Sequence, residues 1–143
     1  MLHLMTLFQP MKTLYARYVL PVQTAYDITR TELDILLFLA NNPQYDTAKD
    51  IVEVRKITKS HVSTSLKALT DAGYLRGYYT EGNRKVVHLA LLPAAMPVVR
   101  AGQKAQRAFQ EQVYHGISPD DLETMSRCLM AMAENVRTEE ASK

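Results

Sequence analysis

The residues with the clearest chemical potential lie between positions 58 and 67. This short segment carries hydroxyl, imidazole and ammonium groups that exchange hydrogen bonds: Thr58, Lys59, Ser60, His61, Ser63, Thr64 and Lys67. On a short helix, such groups suit the edges of DNA bases in the major groove. A solvated polar helix face is the alternative, although small hydroxyl residues are poor helix formers and need a reason to cluster.

The spacing of apolar residues predicts the helix that presents these groups. Thr58 is a suitable N-cap, and Val62, Leu66 and Leu69 recur at the steps of one buried helix face before Gly73 ends the helix. We therefore assign Thr58 and Lys59 to phosphates, because a helix start offers free amides and a positive dipole end. The remaining polar residues are assigned to base edges.

A second capped helix precedes this one. Thr47 is its N-cap, and Ala48, Ile51 and Val54 are expected to face inward, with Ile57 in the following turn. The two helices, separated by a short turn, predict a helix-turn-helix.

A β-hairpin is predicted directly after the second helix. Its strands are residues Leu75 to Thr80 and Lys85 to Leu91, joined across Glu81-Gly82-Asn83. At its tip, Asn83, Arg84 and Lys85 suit the minor groove or its phosphates. A plain hairpin turn is the alternative for the tip taken alone.

Charge is concentrated in the same region of the chain. The whole protein has a net charge of +2, whereas residues 47 to 91 hold eight basic and four acidic side chains. A basic segment in a near-neutral chain is typical of a phosphate-binding surface, although a solvated lysine face is the commoner cause of such a bias.

The rest of the chain reads as helical. Thr29 and Glu32 form a capping box before a helix that is apolar nearly all round. An N-terminal helix is expected to begin or kink at Pro10 and to end before Pro21, with residues 21–27 as a connector.

Two helices follow the hairpin. The first is expected past Pro97, and the last starts at Ser118. Apolar stripes mark the first and last helices: Leu4, Leu7, Met11, Leu14 and Tyr18, then Leu122, Met125, Leu129, Met132 and Val136.

Two segments resemble the recognition helix of the MarR (multiple antibiotic resistance regulator) family. They are residues 57–63, Ile-Thr-Lys-Ser-His-Val-Ser, and residues 69–75, Leu-Thr-Asp-Ala-Gly-Tyr-Leu. The resemblance extends over nearly the whole chain, but Asn83 and Lys85 replace the acid and the arginine of the usual wing tip, so either Arg84 or Lys85 is the expected contact. The turn before Thr58 also lacks the usual glycine.

The expected fold is mainly α with a small β-hairpin wing (α+β). Residues 1–143 form a single domain, with a winged helix-turn-helix over residues 29–92. The resemblance implies a homodimer formed through residues 1–22 and 93–138, which agrees with the two apolar stripes, although packing within one chain is the alternative for each stripe. Two recognition helices then meet successive major grooves of a pseudo-palindromic operator in double-stranded DNA.

This organisation predicts a sequence-specific transcriptional regulator, a repressor released by a small molecule. A dimeric protein-interaction adaptor without DNA binding is the alternative. By analogy with the family, a phenolic or carboxylate effector is expected near Tyr15, Arg17, Tyr18 and Tyr26. Core packing is the alternative role of these four residues.

Other kinds of site are not predicted. No nucleophile elbow, phosphate-binding glycine loop or paired-histidine metal motif occurs, so neither an enzyme nor a cofactor is expected. His3, His61, His88 and His115 are isolated in the sequence, and no metal site is expected. Cys128, the single cysteine, is interpreted as a small buried apolar residue in a reducing cytoplasm. No apolar run is long enough to cross a membrane.

Overall fold

The structure is a computed structural model that describes residues 2–142, with side chains from Leu4 onward. Its elements are α1 (Leu2–Tyr26), α2 (Arg30–Asn41), α3 (Ala48–Arg55), α4 (Lys59–Asp71), β1 (Leu75–Thr80), β2 (Asn83–Leu91), a 3-10 turn (Pro93–Ala95), α5 (Met96–Val113) and α6 (Pro119–Ala141). The two strands form an antiparallel hairpin. The predicted fold class, mainly α with a small hairpin that follows a helix-turn-helix, is confirmed.

The chain folds as two compact units, one up to Phe109 and the other from Gln110 onward. In the first unit, the core is built around α2, whose residues Leu33 and Ile35 to Leu39 are all buried. Helix α5 packs closely against this core at Gly102. A Cβ atom added at Gly102 would lie only 2.8 Å from Leu37 Cδ2. The predicted capping box of Thr29 and Glu32 starts α2.

Helix α1 is longer than the sequence pattern predicts. The expected end before Pro21 is wrong, since the helix continues through both Pro10 and Pro21 to Tyr26. A proline inside a helix removes one backbone hydrogen bond. Val19 and Val22 on either side of Pro21 are buried in the core, so we attribute the continuation to packing that offsets this loss. The helix ends where Asp27 adopts a left-handed conformation with φ of 51°.

Helix α3 is short and only lightly buried. Its N-cap Thr47 forms a capping box with Asp50, as the sequence indicates for a helix start. Ile51 is fully buried, but Ala48 is exposed and Val54 is 47% exposed, so the predicted inward positions of these two residues are wrong. In eight residues α3 makes little more than two turns, and that leaves Ile51 as its one buried position.

The second unit contains the end of α5 and the whole of α6. Ser118 caps α6 by accepting a hydrogen bond from the Asp121 amide at 3.1 Å. No residue within α6 is buried, and the apolar side chains of its predicted seam are half-buried or exposed. Cys128 is exposed as well, so its interpretation as a buried residue is wrong for the single chain.

Candidate nucleic-acid interface

Helix α4 presents the polar residues that the sequence singles out. Thr58 has an extended backbone and its hydroxyl accepts a hydrogen bond from the His61 amide at 3.4 Å, which starts the helix. Val62, Ser65 and Leu69 are buried on the inner side of α4, and Leu66 is half-buried beside them. Ser65 is therefore the residue of this ridge that the apolar pattern alone missed.

The opposite side of α4 is fully available to solvent. All seven residues predicted to contact DNA from this segment are exposed: Thr58, Lys59, Ser60, His61, Ser63, Thr64 and Lys67. From the helical periodicity, Ser60, Ser63, Thr64 and Lys67 share the face opposite the buried ridge. The helix thus brings together side chains of the size and chemistry that reach base edges.

Two of these side chains already have partners within the helix. The Thr64 hydroxyl donates to the Ser60 carbonyl at 3.0 Å, and the Lys67 ammonium lies 2.7 Å from Asp71 Oδ2. The hydrogen bond and the negative charge of Asp71 raise the pKa of Lys67. Ser63 has no such recorded bond within the described residues, which makes it the simplest candidate for a base contact.

The turn between α3 and α4 contains a backbone conformation that favours glycine. Lys56 closes α3 in the left-handed conformation, with φ of 55° and ψ of 40°. This is the turn in which the sequence lacks the expected glycine. A lysine adopts this conformation at a cost that glycine does not have.

The β-hairpin forms the second element of the interface. Gly82 turns the chain at the tip with φ of 78°, and the Asn83 side-chain oxygen accepts a hydrogen bond from the Lys85 amide at 3.0 Å. Arg84 lies over the Tyr79 ring, with 5.8 Å between the guanidinium carbon and the ring centroid. Asn83 thus shapes the turn, whereas Arg84 and Lys85 are both exposed and basic. Each of the two stays a candidate for the wing-tip contact.

A polar cluster at the base of the hairpin was not found by sequence reasoning. Asp46, in the turn before α3, accepts a hydrogen bond from the Tyr78 hydroxyl at 3.2 Å, and its other carboxylate oxygen lies 2.8 Å from His88 Nδ1. These residues are separated by 32 and 42 positions from Asp46. No local spacing in the sequence signals such a contact.

The first unit also contains a cavity of about 660 Å³ beside α2. Tyr15, Arg30, Asp34 and Arg55 line it. Asp34 is shared between Arg30, at 2.9 Å, and Arg55, at 3.6 Å, and the Arg30 guanidinium lies 4.7 Å from the centre of the Tyr15 ring. The sequence singled out Tyr15 here but missed the two arginines.

The other three residues predicted near an effector lie elsewhere among the described residues. Arg17 is exposed, Tyr18 packs edge-on against Phe109 with 6.0 Å between ring centroids, and the Tyr26 hydroxyl donates to the Pro97 carbonyl at 3.5 Å. None of the three is among the described residues that line the cavity.

We find no group of three or more His, Cys, Asp or Glu side chains placed to hold a metal ion within the described part of the chain. The side chain of His3, one of the four histidines considered from the sequence, lies outside the described residues. Among the described helices, none has the length and the apolar character needed to span a bilayer.

Comparison with known proteins relates this geometry to a family. Residues 26–83 match the model of the MarR family. A MarR family transcriptional regulator from Listeria monocytogenes, solved in complex with 26mer DNA, superposes with a TM-score of 0.81 at 14% identity, over 97% of this chain and 90% of that chain. The DNA complex of Staphylococcus aureus MepR gives 0.69 at 18% identity, over 94% of each chain.

A third similar structure was solved with small molecules. Staphylococcus aureus MarR in complex with salicylate and kanamycin has a TM-score of 0.72 at 20% identity, over 94% of this chain and 88% of that chain. No curated protein matches the sequence significantly. The structural matches establish a shared fold, and the family model matches the helix-turn-helix itself together with β1. Over residues 26–83 the chain is thus similar in sequence to the MarR family, and the chain shares the fold of the solved MarR-type structures.

Proposed function

We propose that the protein is a homodimeric, sequence-specific regulator that binds double-stranded DNA and represses transcription until a small molecule releases it. The observation that carries this proposal is the exposed polar face of α4, which begins with Thr58 and Lys59 and is followed in the chain by a hairpin with Arg84 and Lys85 at its tip. Proteins of this fold from Listeria monocytogenes and Staphylococcus aureus have been solved with DNA.

In this proposal, the two elements of the interface have different roles. Ser60, His61, Ser63, Thr64 and Lys67 read base edges from α4, while Thr58 and Lys59 hold phosphates at its N-terminus. The wing tip, with Asn83 as its turn-forming residue, places Arg84 or Lys85 at the minor groove or its phosphates. A DNA-binding role of this kind involves no catalysis and belongs in the cytoplasm.

A second copy of the chain completes the DNA-binding form. Large apolar side chains in α1 and in α6 are exposed, among them Phe8 at 47%, Leu20 at 55%, Leu129 at 42% and Val136 at 59%. Exposed apolar surface of this extent on helices is typical of an interface between subunits. We propose that residues 1–22 and 93–138 form this interface, with residues 29–92 as the DNA-binding part.

The cavity beside α2 is the proposed effector site, to which Tyr15 contributes an aromatic ring. Arg30 and Arg55 give it two cationic side chains, which suit a phenolate or carboxylate group. Arg17, Tyr18 and Tyr26 do not line this cavity in the single chain, and we propose that they contact the effector in the dimer.

Binding to duplex DNA at several salt concentrations tests this function. Neutralisation of several phosphates predicts that log affinity falls steeply and linearly with log salt, and selection from random DNA should return two half-sites about 10 base pairs apart. Lys59→Ala should weaken binding, whereas the matched control Lys104→Ala, on an exposed position of α5, should not. Absence of salt-dependent duplex binding would reject the proposal in favour of a protein-interaction adaptor.

A further inference from the structure

The polar cluster at the base of the hairpin ties the wing to the helix-turn-helix. Asp46 is bonded to the start of α3. Its amide donates a hydrogen bond at 3.1 Å to Oδ2 of Asp50, which lies in the first turn of that helix. The Leu89 amide of β2 donates to the Asp46 carbonyl at 2.7 Å, so the backbone of the turn is bonded to the hairpin directly. Asp46 is therefore attached both to α3 and to β2.

The carboxylate of Asp46 then reaches both strands. One oxygen accepts from the Tyr78 hydroxyl of β1 and the other contacts His88 Nδ1 of β2, at 3.2 and 2.8 Å. Tyr78 and His88 are direct partners in the register of the hairpin, with 5.5 Å between their ring centroids. A single side chain thus holds the two strands at the same level.

The Tyr78–His88 pair separates an anchored part of the hairpin from an exposed part. Residues 79–87, on the tip side, are all exposed, and their recorded side-chain contacts stay within the hairpin. The pairing is also irregular between Tyr78 and Thr80. Among the described residues, the Asp46 cluster is therefore the attachment nearest the tip.

We propose that Asp46 is a positioning residue for DNA binding: through Tyr78 and His88 it clamps the wing against the helix-turn-helix. The inference rests on the proposed DNA-binding function. A wing held at one angle loses less conformational freedom on binding than a mobile one. Asp46 itself does not contact DNA in this proposal.

The chemistry of the cluster fits this role of Asp46. A carboxylate only accepts hydrogen bonds, so His88 Nδ1 is the donor in the contact at 2.8 Å. The pKa of Tyr78 is raised, first by its hydrogen bond to Asp46, so its hydroxyl stays a donor at neutral pH.

Hydrogen exchange tests the mechanical part of the proposal without DNA. We expect Tyr78→Phe, His88→Gln and Asp46→Asn each to accelerate amide exchange of residues 79–87 by about 5- to 10-fold, as expected when a local opening becomes easier. The matched control is Tyr45→Phe, which removes a hydroxyl next to Asp46 from a ring that stacks on Phe38. Unchanged exchange in Tyr78→Phe and His88→Gln overturns the clamp, even if Asp46→Asn fails to fold.

Affinity for a mixed-sequence duplex of about 30 base pairs, long enough for two half-sites, tests the consequence for binding. We expect the three variants to bind about 3- to 10-fold more weakly than the unchanged protein, the net size of one lost hydrogen bond. Tyr45→Phe, the matched control, should bind as tightly as the unchanged protein.

The two measurements separate the failure of the clamp from the failure of the proposed function. Unchanged affinity of all three variants overturns the role of Asp46 in DNA binding. If the unchanged protein binds no duplex, the DNA-binding function is wrong and the role of Asp46 in DNA binding is overturned with it. The exchange rates then decide separately whether Asp46 holds the hairpin in place.

Discussion

The Lys67 ammonium lies 2.7 Å from Asp71 Oδ2, one helical turn away on the face of α4 that we assign to DNA. Both side chains are largely exposed, so the pair adds little to stability, but the acid offsets a positive charge where phosphates are expected. The negative charge of Asp71 therefore weakens the electrostatic attraction between this face of α4 and DNA.

We expect Asp71→Asn to raise the affinity for duplex DNA about 3-fold and to steepen the dependence of log affinity on log salt by about one unit. Titrations at several salt concentrations measure both. Because the pKa of Lys67 is raised, its charge is lost only at strongly alkaline pH, so the pair should add no pH dependence near neutrality. Glu123→Gln, which removes the acid of a similar exposed pair with Arg127 in α6, should leave binding unchanged.

Substitutions at Ser63 and Lys59 should distinguish a base contact from a phosphate contact. Ser63→Ala should change which operator is preferred, by about 1–3 kcal/mol at one base pair, because a hydroxyl that reads a base edge is lost. Lys59→Ala should weaken binding to all duplexes alike. Thr70→Ala serves as the control, since its hydroxyl is bonded to the Leu66 carbonyl at 2.7 Å. A uniform loss of affinity in Ser63→Ala would contradict its assignment to a base.

The left-handed turn at Lys56 predicts a stabilising substitution. Lys56→Gly should raise the free energy of unfolding by up to about 1 kcal/mol, because glycine adopts φ of 55° without a steric cost. Urea denaturation measures the change. Glu53→Gly, inside α3, should instead destabilise by about 1 kcal/mol. Equal losses at both positions would show that the conformation of Lys56 is not strained.

The proposed dimer predicts a strong effect at the seam of α6. Leu129→Glu should convert the dimer to a monomer in sedimentation and reduce operator binding to that of one half-site, because a charge at the interface must be desolvated. Ala131→Glu, on the opposite face of the same helix by periodicity, should remain dimeric. A dimer that survives Leu129→Glu would place the interface elsewhere.

Local signals in the sequence determined most of the helix-turn-helix. N-caps at Thr29, Thr47, Thr58 and Ser118 start α2, α3, α4 and α6 as predicted, because a cap acts within one turn of the backbone. The exposed face of α4 followed from the spacing of Val62 and Leu69, since a helix that buries one side must expose the other.

Contacts between distant parts of the chain were decided only by the tertiary structure. Packing of Val19 and Val22 carries α1 through Pro21, although a proline locally predicts an end. The meeting of Asp46 with Tyr78 and His88, and that of Asp34 with Arg55, depend on the packing of separate elements. The sequence thus determined the helix proposed to read DNA, whereas the folded chain decided how its wing is held, because side chains that meet across a fold have no fixed spacing along it.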